Sequence, residues 1–238
     1  SVTGFFPAQA NLPINFVITD RLVNNTNAVA TVTYTITPKA VGAKGGVGCI
    51  APTSTVVTIT VDPKPRLSIT PATQIVCEGV ATTMTLSSST VPSAGTIRFT
   101  KISAVPTGGM TLTSAPKTIY VNGEQIGDVW DNPTTLAQTV TYTFRASVVG
   151  GLGCISEDIT ALLTVNPSPN VVASAQAPIC SSDFINITLT PDVANTICNY
   201  TVTPPSVISG ATSGAGNLIF QTLFYNSATP TVANSDGP

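Results

Sequence analysis

The sequence predicts an all-β protein built of tandem two-sheet sandwich repeats about 100 residues long. Three observations lead there. The stretch "TVTYT" occurs twice, at Thr31–Thr35 and Thr139–Thr143. The motifs downstream of each copy are shared as well: "GGVGC", "VVTITV" and "DPKP" after the first, "GGLGC", "ALLTV" and "NPSP" after the second. A fixed order at similar spacing is the mark of a tandem repeat. Around these runs threonine, valine and isoleucine alternate, and Gly, Pro, Asn or Ser closes each run, as strands and turns require. No stretch carries the apolar period of an amphipathic helix.

Alternation also assigns faces, because successive side chains of a strand point to opposite sides. In the first copy Val32, Tyr34 and Ile36 share one parity and threonines the other, so the three apolar residues should enter a core. The same parity places Val140, Tyr142 and Phe144 inward in the second copy. Further strands are expected in "TSTVVTITVD", "TTMTLSSS", "GTIRFTKI", "KTIYVNG", "DITALLTVN" and "INITLTPD", where β-branched residues favour a pleated, half-buried setting.

"DPKP" and "NPSP" each come after one strand and before another. Two prolines within four residues do not fit a central strand, so Pro63, Pro65, Pro167 and Pro169 are expected to mark short, stiff joints between domains. The joints divide the chain into residues 1–65, the later part of a repeat; 66–169, a complete repeat; and 170–238, the earlier part of a third. "DRLVNN" in the first matches "DVWDNP" in the second, and "LSITPATQIVCEG" matches "VVASAQAPICSS" in the third. Half a sandwich exposes edges and core. Either the chain is a window on a longer array, or the C-terminal part of one molecule is completed by the N-terminal part of the next, a filament built by strand addition.

Composition narrows the function. Charged residues make up 8% of the chain and the formal net charge is -2, with no basic cluster to neutralise phosphates, so nucleic acid is excluded as a partner. Mean hydropathy is +0.35, yet the apolar residues are interleaved with Thr and Ser, and no run approaches the roughly 20 residues of a spanning helix. Direct membrane insertion is not expected. The opening "SVTGFFPAQAN" lacks the basic and apolar regions of a signal peptide, so a secreted protein would carry this stretch as a processed form or an internal piece. The chain has no histidine, which removes triads built on that base. Its five cysteines form no C-x-x-C pair, which argues against a structural zinc cluster.

With "IVCEG", "DVWDN", "TVTYTF", "GGLGC" and "LTVNPSP" in this order, the middle unit resembles the PKD-like repeats of very large Bacteroidetes surface proteins, among them gliding-motility adhesins exported by the type IX secretion system. The resemblance covers the middle unit and both partial units. It implies an immunoglobulin-like sandwich, an extracellular place at the bacterial cell surface, and a structural or adhesive role. Partners would be neighbouring repeats of the same or adjacent chains, and surface polysaccharide. The third unit departs from the pattern in a shortened middle and an added Cys198.

Such a compartment permits disulfides. Cys77 opens the middle unit and Cys154 stands near its close, so a Cys77–Cys154 bond is expected, with two separate buried thiols as the alternative. Cys180 and Cys198 form a possible second pair, and Cys49 has no partner assigned. Asp128 and Asp131 flank Trp130, and Glu157 and Asp158 come soon after Cys154. Paired carboxylates serve calcium binding or glycoside hydrolysis. At the matching place the first repeat has Leu22 for Trp130 and no second acid, so Asp128 and Asp131 are read as solvated turn residues ahead of a calcium site, and no cofactor or catalytic residue is expected. Trp130 either stacks on a sugar or plugs the core. Its replacement by Leu22, and near Phe224 in the third unit, fits the core. Sequons beginning at Asn24, Asn186 and Asn199 arise readily in so Asn- and Thr-rich a chain. The expected function is a non-enzymatic stalk or fibre region of a secreted adhesin, and the competing one is a carbohydrate-binding module of a glycan-processing protein.

Overall fold

The computed structural model describes residues 1–9, 12–40 and 48–226. Gly45, Gly46 and Val47 of the "GGVGC" motif lie outside the described residues. The architecture is all-β: tandem immunoglobulin-like sandwich repeats, with strands and turns and no helix among the described residues. The first repeat holds β1 (Val2–Thr3), β2 (Val23–Asn24), β3 (Ala30–Ile36) and β4 (Thr55–Val61). The middle repeat holds β5 (Ser68–Thr70), β6 (Thr73–Cys77), β7 (Thr85–Ser87), β8 (Thr96–Pro106), β9 (Thr111–Leu112), β10 (Ile119–Val121), β11 (Trp130–Asp131), β12 (Gln138–Val149) and β13 (Ile159–Asn166). The third holds β14 (Val171–Ala173), β15 (Phe184–Pro191), β16 (Asn199–Tyr200), β17 (Ile208–Ser209), β18 (Gly214–Ala215), β19 (Leu218–Thr222) and β20 (Phe224–Tyr225). By contacts the chain forms two compact units: residues 1–131 with 138–165, and residues 132–137 with 166–238.

In the middle repeat one sheet runs β10-β8-β12-β13-β6. The facing layer is β5 against β7, with β7 continued by backbone bonds to the segment before β11: Leu86 N–H to Glu124 C=O, Ile126 N–H to Met84 C=O and Thr82 N–H to Asp128 C=O, each 2.9 Å. Between the layers lie Leu67, Ile69, Met84, Leu86 and Ile126 from one side and Phe99, Tyr120, Val140, Tyr142, Phe144 and Leu163 from the other. The Tyr120 and Phe144 rings meet edge to face at 5.7 Å. Alternation along β12 produces this: Val140, Tyr142, Phe144 and Ala146 are fully buried, and the residues between them are not.

The first repeat repeats the closing hairpin in the same register. Ala30 pairs with Val61 and Ile36 with Thr55, as Gln138 pairs with Val165 and Phe144 with Ile159. Its inward face is not covered to the same degree. Val32 and Tyr34 are half-buried, and Ile36 is 45% exposed where Phe144 is 0%. The second unit is also thinly covered. Its largest sheet is β14-β15-β19, and Phe184 and Phe220 touch at 5.0 Å while both stay exposed.

The expected Cys77–Cys154 disulfide is not formed. All five cysteines are free thiols, so the possible Cys180–Cys198 pair is absent too. For the first pair the reason is strand direction. Next to Cys77, the Gly79 amide bonds to the Trp130 carbonyl, and the Trp130 indole reaches Tyr142; the Cys154 carbonyl instead takes the Val148 amide. Tyr142 and Val148 are six residues apart on β12, roughly 20 Å along an extended strand. Opening and close of the unit therefore lie toward opposite ends of the sandwich, far beyond the Cα separation a disulfide spans.

Phe144→Ala should destabilise the middle repeat by about 3–5 kcal/mol, whereas Ile36→Ala, the same change at the open counterpart, should cost less than about 1 kcal/mol. Urea titrations of the full chain read by fluorescence of Trp130, which reports the middle repeat, test the first value. Circular dichroism tests the second.

Candidate functional site

Two places gather polar groups in the first unit. One is inside the middle repeat. Asp128, on the segment leading into β11, is buried, and both of its carboxylate oxygens accept hydrogen bonds from Lys101 Nζ on β8, at 3.0 and 2.7 Å. The side chains are 8% and 2% exposed for Lys101 and Asp128. The ammonium also lies 5.8 Å from the ring centres of Tyr120 and Tyr142. Trp130 Nε1 donates to Tyr142 Oη at 2.8 Å. Burial, then the Asp128 charge, pushes the Tyr120 and Tyr142 hydroxyls well above the ordinary tyrosine range.

This corrects the reading of Asp128 as a solvated turn residue or calcium ligand. Its oxygens are taken by an ammonium, and Asp131 is half-buried on β11. No group of three His, Cys, Asp or Glu side chains gathers among the described residues. Trp130 is 5% exposed, with its ring in the core, where it has no face for a sugar. Glu157 and Asp158 are not a pair either: Glu157 faces Lys64 at 3.3 Å, while Asp158 takes two bonds from Arg145 at 2.6 and 2.8 Å. The Arg145 bonds hold the Asp158 carboxyl below its usual range. Both pairs are exposed and contribute little to stability. A sealed, mutually neutralised cluster holds the sandwich together and offers no acid or base to a substrate.

The first repeat carries half of this cluster. Tyr34 Oη donates to Asp20 Oδ2 at 2.8 Å, a bond that raises the Tyr34 hydroxyl pKa, and buried Asp20 Oδ1 has no partner. Asp20 precedes Tyr34 by fourteen residues, as Asp128 precedes Tyr142. That shared spacing is the signal for the pair in the sequence, and the more conspicuous acids beside Trp130 mask it. A second matched element is the loop after each aspartate. Asn24 Oδ1 accepts from the backbone and hydroxyl of Thr26 while its amide donates to Ala28 C=O; Asn132 does the same with Thr134 and Leu136. The Asn24 sequon therefore has a side chain already used inside the fold.

The other place is the joint at residues 62–66. Pro63 and Pro65 are buried, and with Leu67 and Ile69 they form one unbroken inward alternation from the joint into β5. Proline fixes φ, so this extended stretch has little freedom. Bonds cross it from both sides. Arg66 Nη2 donates to Asn25 C=O at 2.6 Å and the Arg66 amide to Thr90 Oγ1 at 2.9 Å. Asn27 Nδ2 donates to Ser89 Oγ, and the Val91 amide to Asn27 C=O at 2.7 Å. Asp62 receives the amide and hydroxyl of Ser93. The other joint prolines are placed differently, with Pro167 half-buried and Pro169 exposed.

Lys101→Met should cost about 3–5 kcal/mol by stranding the Asp128 carboxylate, and Lys101→Met with Asp128→Leu should recover a large part of that loss in the same urea titration. Alkali supplies a second test. The raised tyrosines favour the folded state fully below the unfolded tyrosine pKa of about 10, and that contribution is lost as pH rises above it. Absorbance at the phenolate band should show Tyr120 and Tyr142 ionising only together with unfolding.

Residues 2–65 match the model of the PKD-like domain family. Comparison with curated proteins gives no match. Among solved structures, the extracellular cadherin domains 3–6 of protocadherin gamma B2 align with 13% identity over 96% of this chain and 69% of that chain. The TM-score of that alignment is 0.30, too low to carry weight.

Proposed function

We propose that this chain is a non-enzymatic structural or adhesive repeat region, a semi-rigid stalk within a large extracellular protein. The observation that carries the reading is the joint between the first two repeats. A flexible tether would be exposed and free of cross-bonds. Here the prolines are buried and side chains of both repeats bond across them. The PKD-like match of residues 2–65 and the sharing of one closing hairpin between two repeats support the same reading.

The finer assignment is to a bacterial surface adhesin or fibre of the gliding-motility type, exported by type IX secretion and meeting neighbouring repeats or surface polysaccharide. Its support is the ordered set of motifs from "IVCEG" to "LTVNPSP". The competing carbohydrate-binding reading loses Trp130 to the core. One feature favours it, the Phe184–Phe220 pair, with both rings 58% exposed. A glycan array distinguishes the two: reproducible binding that Phe184→Ala abolishes would favour the module.

Hydrogen exchange on the full chain tests the stiff joint. The amides of Arg66, Val91 and Ser93 should be protected, and the double change Pro63→Gly and Pro65→Gly should speed their exchange without affecting residues 140–148. Exchange of these three amides at the rate of an unstructured chain in the unaltered protein would remove the basis of the stalk.

A further inference from the structure

Lys101 and Asp128 belong to opposite layers of the middle repeat. Lys101 stands on β8 in the five-stranded sheet, and Asp128 on the segment of the facing layer whose carbonyl takes the Thr82 amide. The register of β8 against β12 shifts directly after the lysine: Lys101 pairs with Phe144 and Ser103 with Thr143, which leaves Ile102 as the extra residue of a bulge. Both carboxylate oxygens lie on Nζ, at 3.0 and 2.7 Å, and neither side chain is more than 8% exposed. The Tyr120 and Tyr142 rings wall the pair, each with its centre 5.8 Å from Nζ. Their hydroxyls are engaged elsewhere, Tyr120 donating to Lys117 C=O at 3.0 Å and Tyr142 accepting from Trp130. An amine and a carboxyl group are thus held in contact, between two sheets, out of reach of water.

We infer that Lys101 and Asp128 condense to an amide, a covalent cross-link that the folded repeat forms by itself between its two layers. Proton transfer within the pair turns ammonium and carboxylate into amine and carboxylic acid, a form that competes far better where neither charge is hydrated. A turn of the carboxyl group about its Cβ–Cγ bond presents its face to the nitrogen. The Nζ lone pair attacks Asp128 Cγ, the Nζ–Cγ bond forms, and the bond from Cγ to the hydroxyl oxygen of the acid breaks. That oxygen leaves as water with the acid proton and one amine proton, so nothing is oxidised or reduced and no further reactant is consumed. Groups fixed in contact react as if at roughly 10⁵–10⁸ M, which favours condensation, and the closed core keeps water from reversing it. The two residues are 27 apart, so the link closes the excursion from β8 through β9 and β10 toward β11 into a ring. It gives the middle repeat a covalent tie that its free cysteines do not supply. The inference goes beyond the stalk reading and does not depend on it.

The test is the mass of the full chain, folded first and then measured under denaturing conditions. The unaltered protein, shown to be folded by a cooperative urea transition of Trp130 fluorescence, should be lighter than its sequence by one water molecule. Trypsin should release residues 99–117 joined to residues 118–145, with fragment ions that place the link at Lys101 and Asp128. Lys101→Arg keeps a cation beside Asp128, yet it should carry the full mass and yield residues 118–145 unlinked. The full mass in the folded, unaltered chain after days at neutral pH would overturn the link. So would a loss of water that persists in Lys101→Arg, or one that fragment ions assign elsewhere, such as a succinimide at Asp236 before Gly237.

Discussion

The apolar face of the β12–β13 hairpin has to be covered, and the rest of the middle repeat is built around that requirement. Val140, Tyr142, Phe144 and Leu163 bring more apolar surface to one side of two strands than water tolerates, and burial of each large side chain contributes about 1.5–3 kcal/mol. The cover is β7 with its continuation toward β11, and β8 widens the sheet so that the cover fits. Closing the layers also buries Asp128, which is acceptable only because Lys101 arrives on β8 to neutralise it. The hairpin of the first repeat keeps the same register with similar side chains.

Much of this was legible along the chain, and what was legible was local. Strand parity in the second "TVTYT" assigned Val140, Tyr142 and Phe144 inward because a period of two needs no knowledge of neighbours, whereas Ile36, given the same parity in the first copy, is exposed. Turn residues and the duplicated order of motifs pointed to tandem sandwich repeats. What escaped depended on which strands lie side by side. Lys101 and Asp128 are 27 residues apart, with nothing in either neighbourhood to announce the other. The cysteine pairing failed for a related reason. A motif that opens a unit and one that closes it need not meet in space, because the strands between them run the length of the sandwich.

The two polar places therefore have different meanings. The Lys101–Asp128 cluster is enclosed and serves the fold of one repeat. The joint is where one repeat meets the next, and its bonds connect elements far apart in sequence, such as Arg66 to Asn25 and Asn27 to Ser89. One set of bonds closes a single repeat and the other ties two together.

The buried run through Pro63, Pro65, Leu67 and Ile69 also decides how a pull on this protein would be shared. The chain enters the middle repeat through β5 in one layer, beside Thr90 and Ser93, and leaves through β13 in the other, where Val165 lies beside Gln138. Entry and exit lie toward opposite ends of the sandwich, so tension slides the strands lengthwise and loads many ladder bonds in shear at once. Peeling, which breaks such bonds singly, would need both ends of the repeat on the same side.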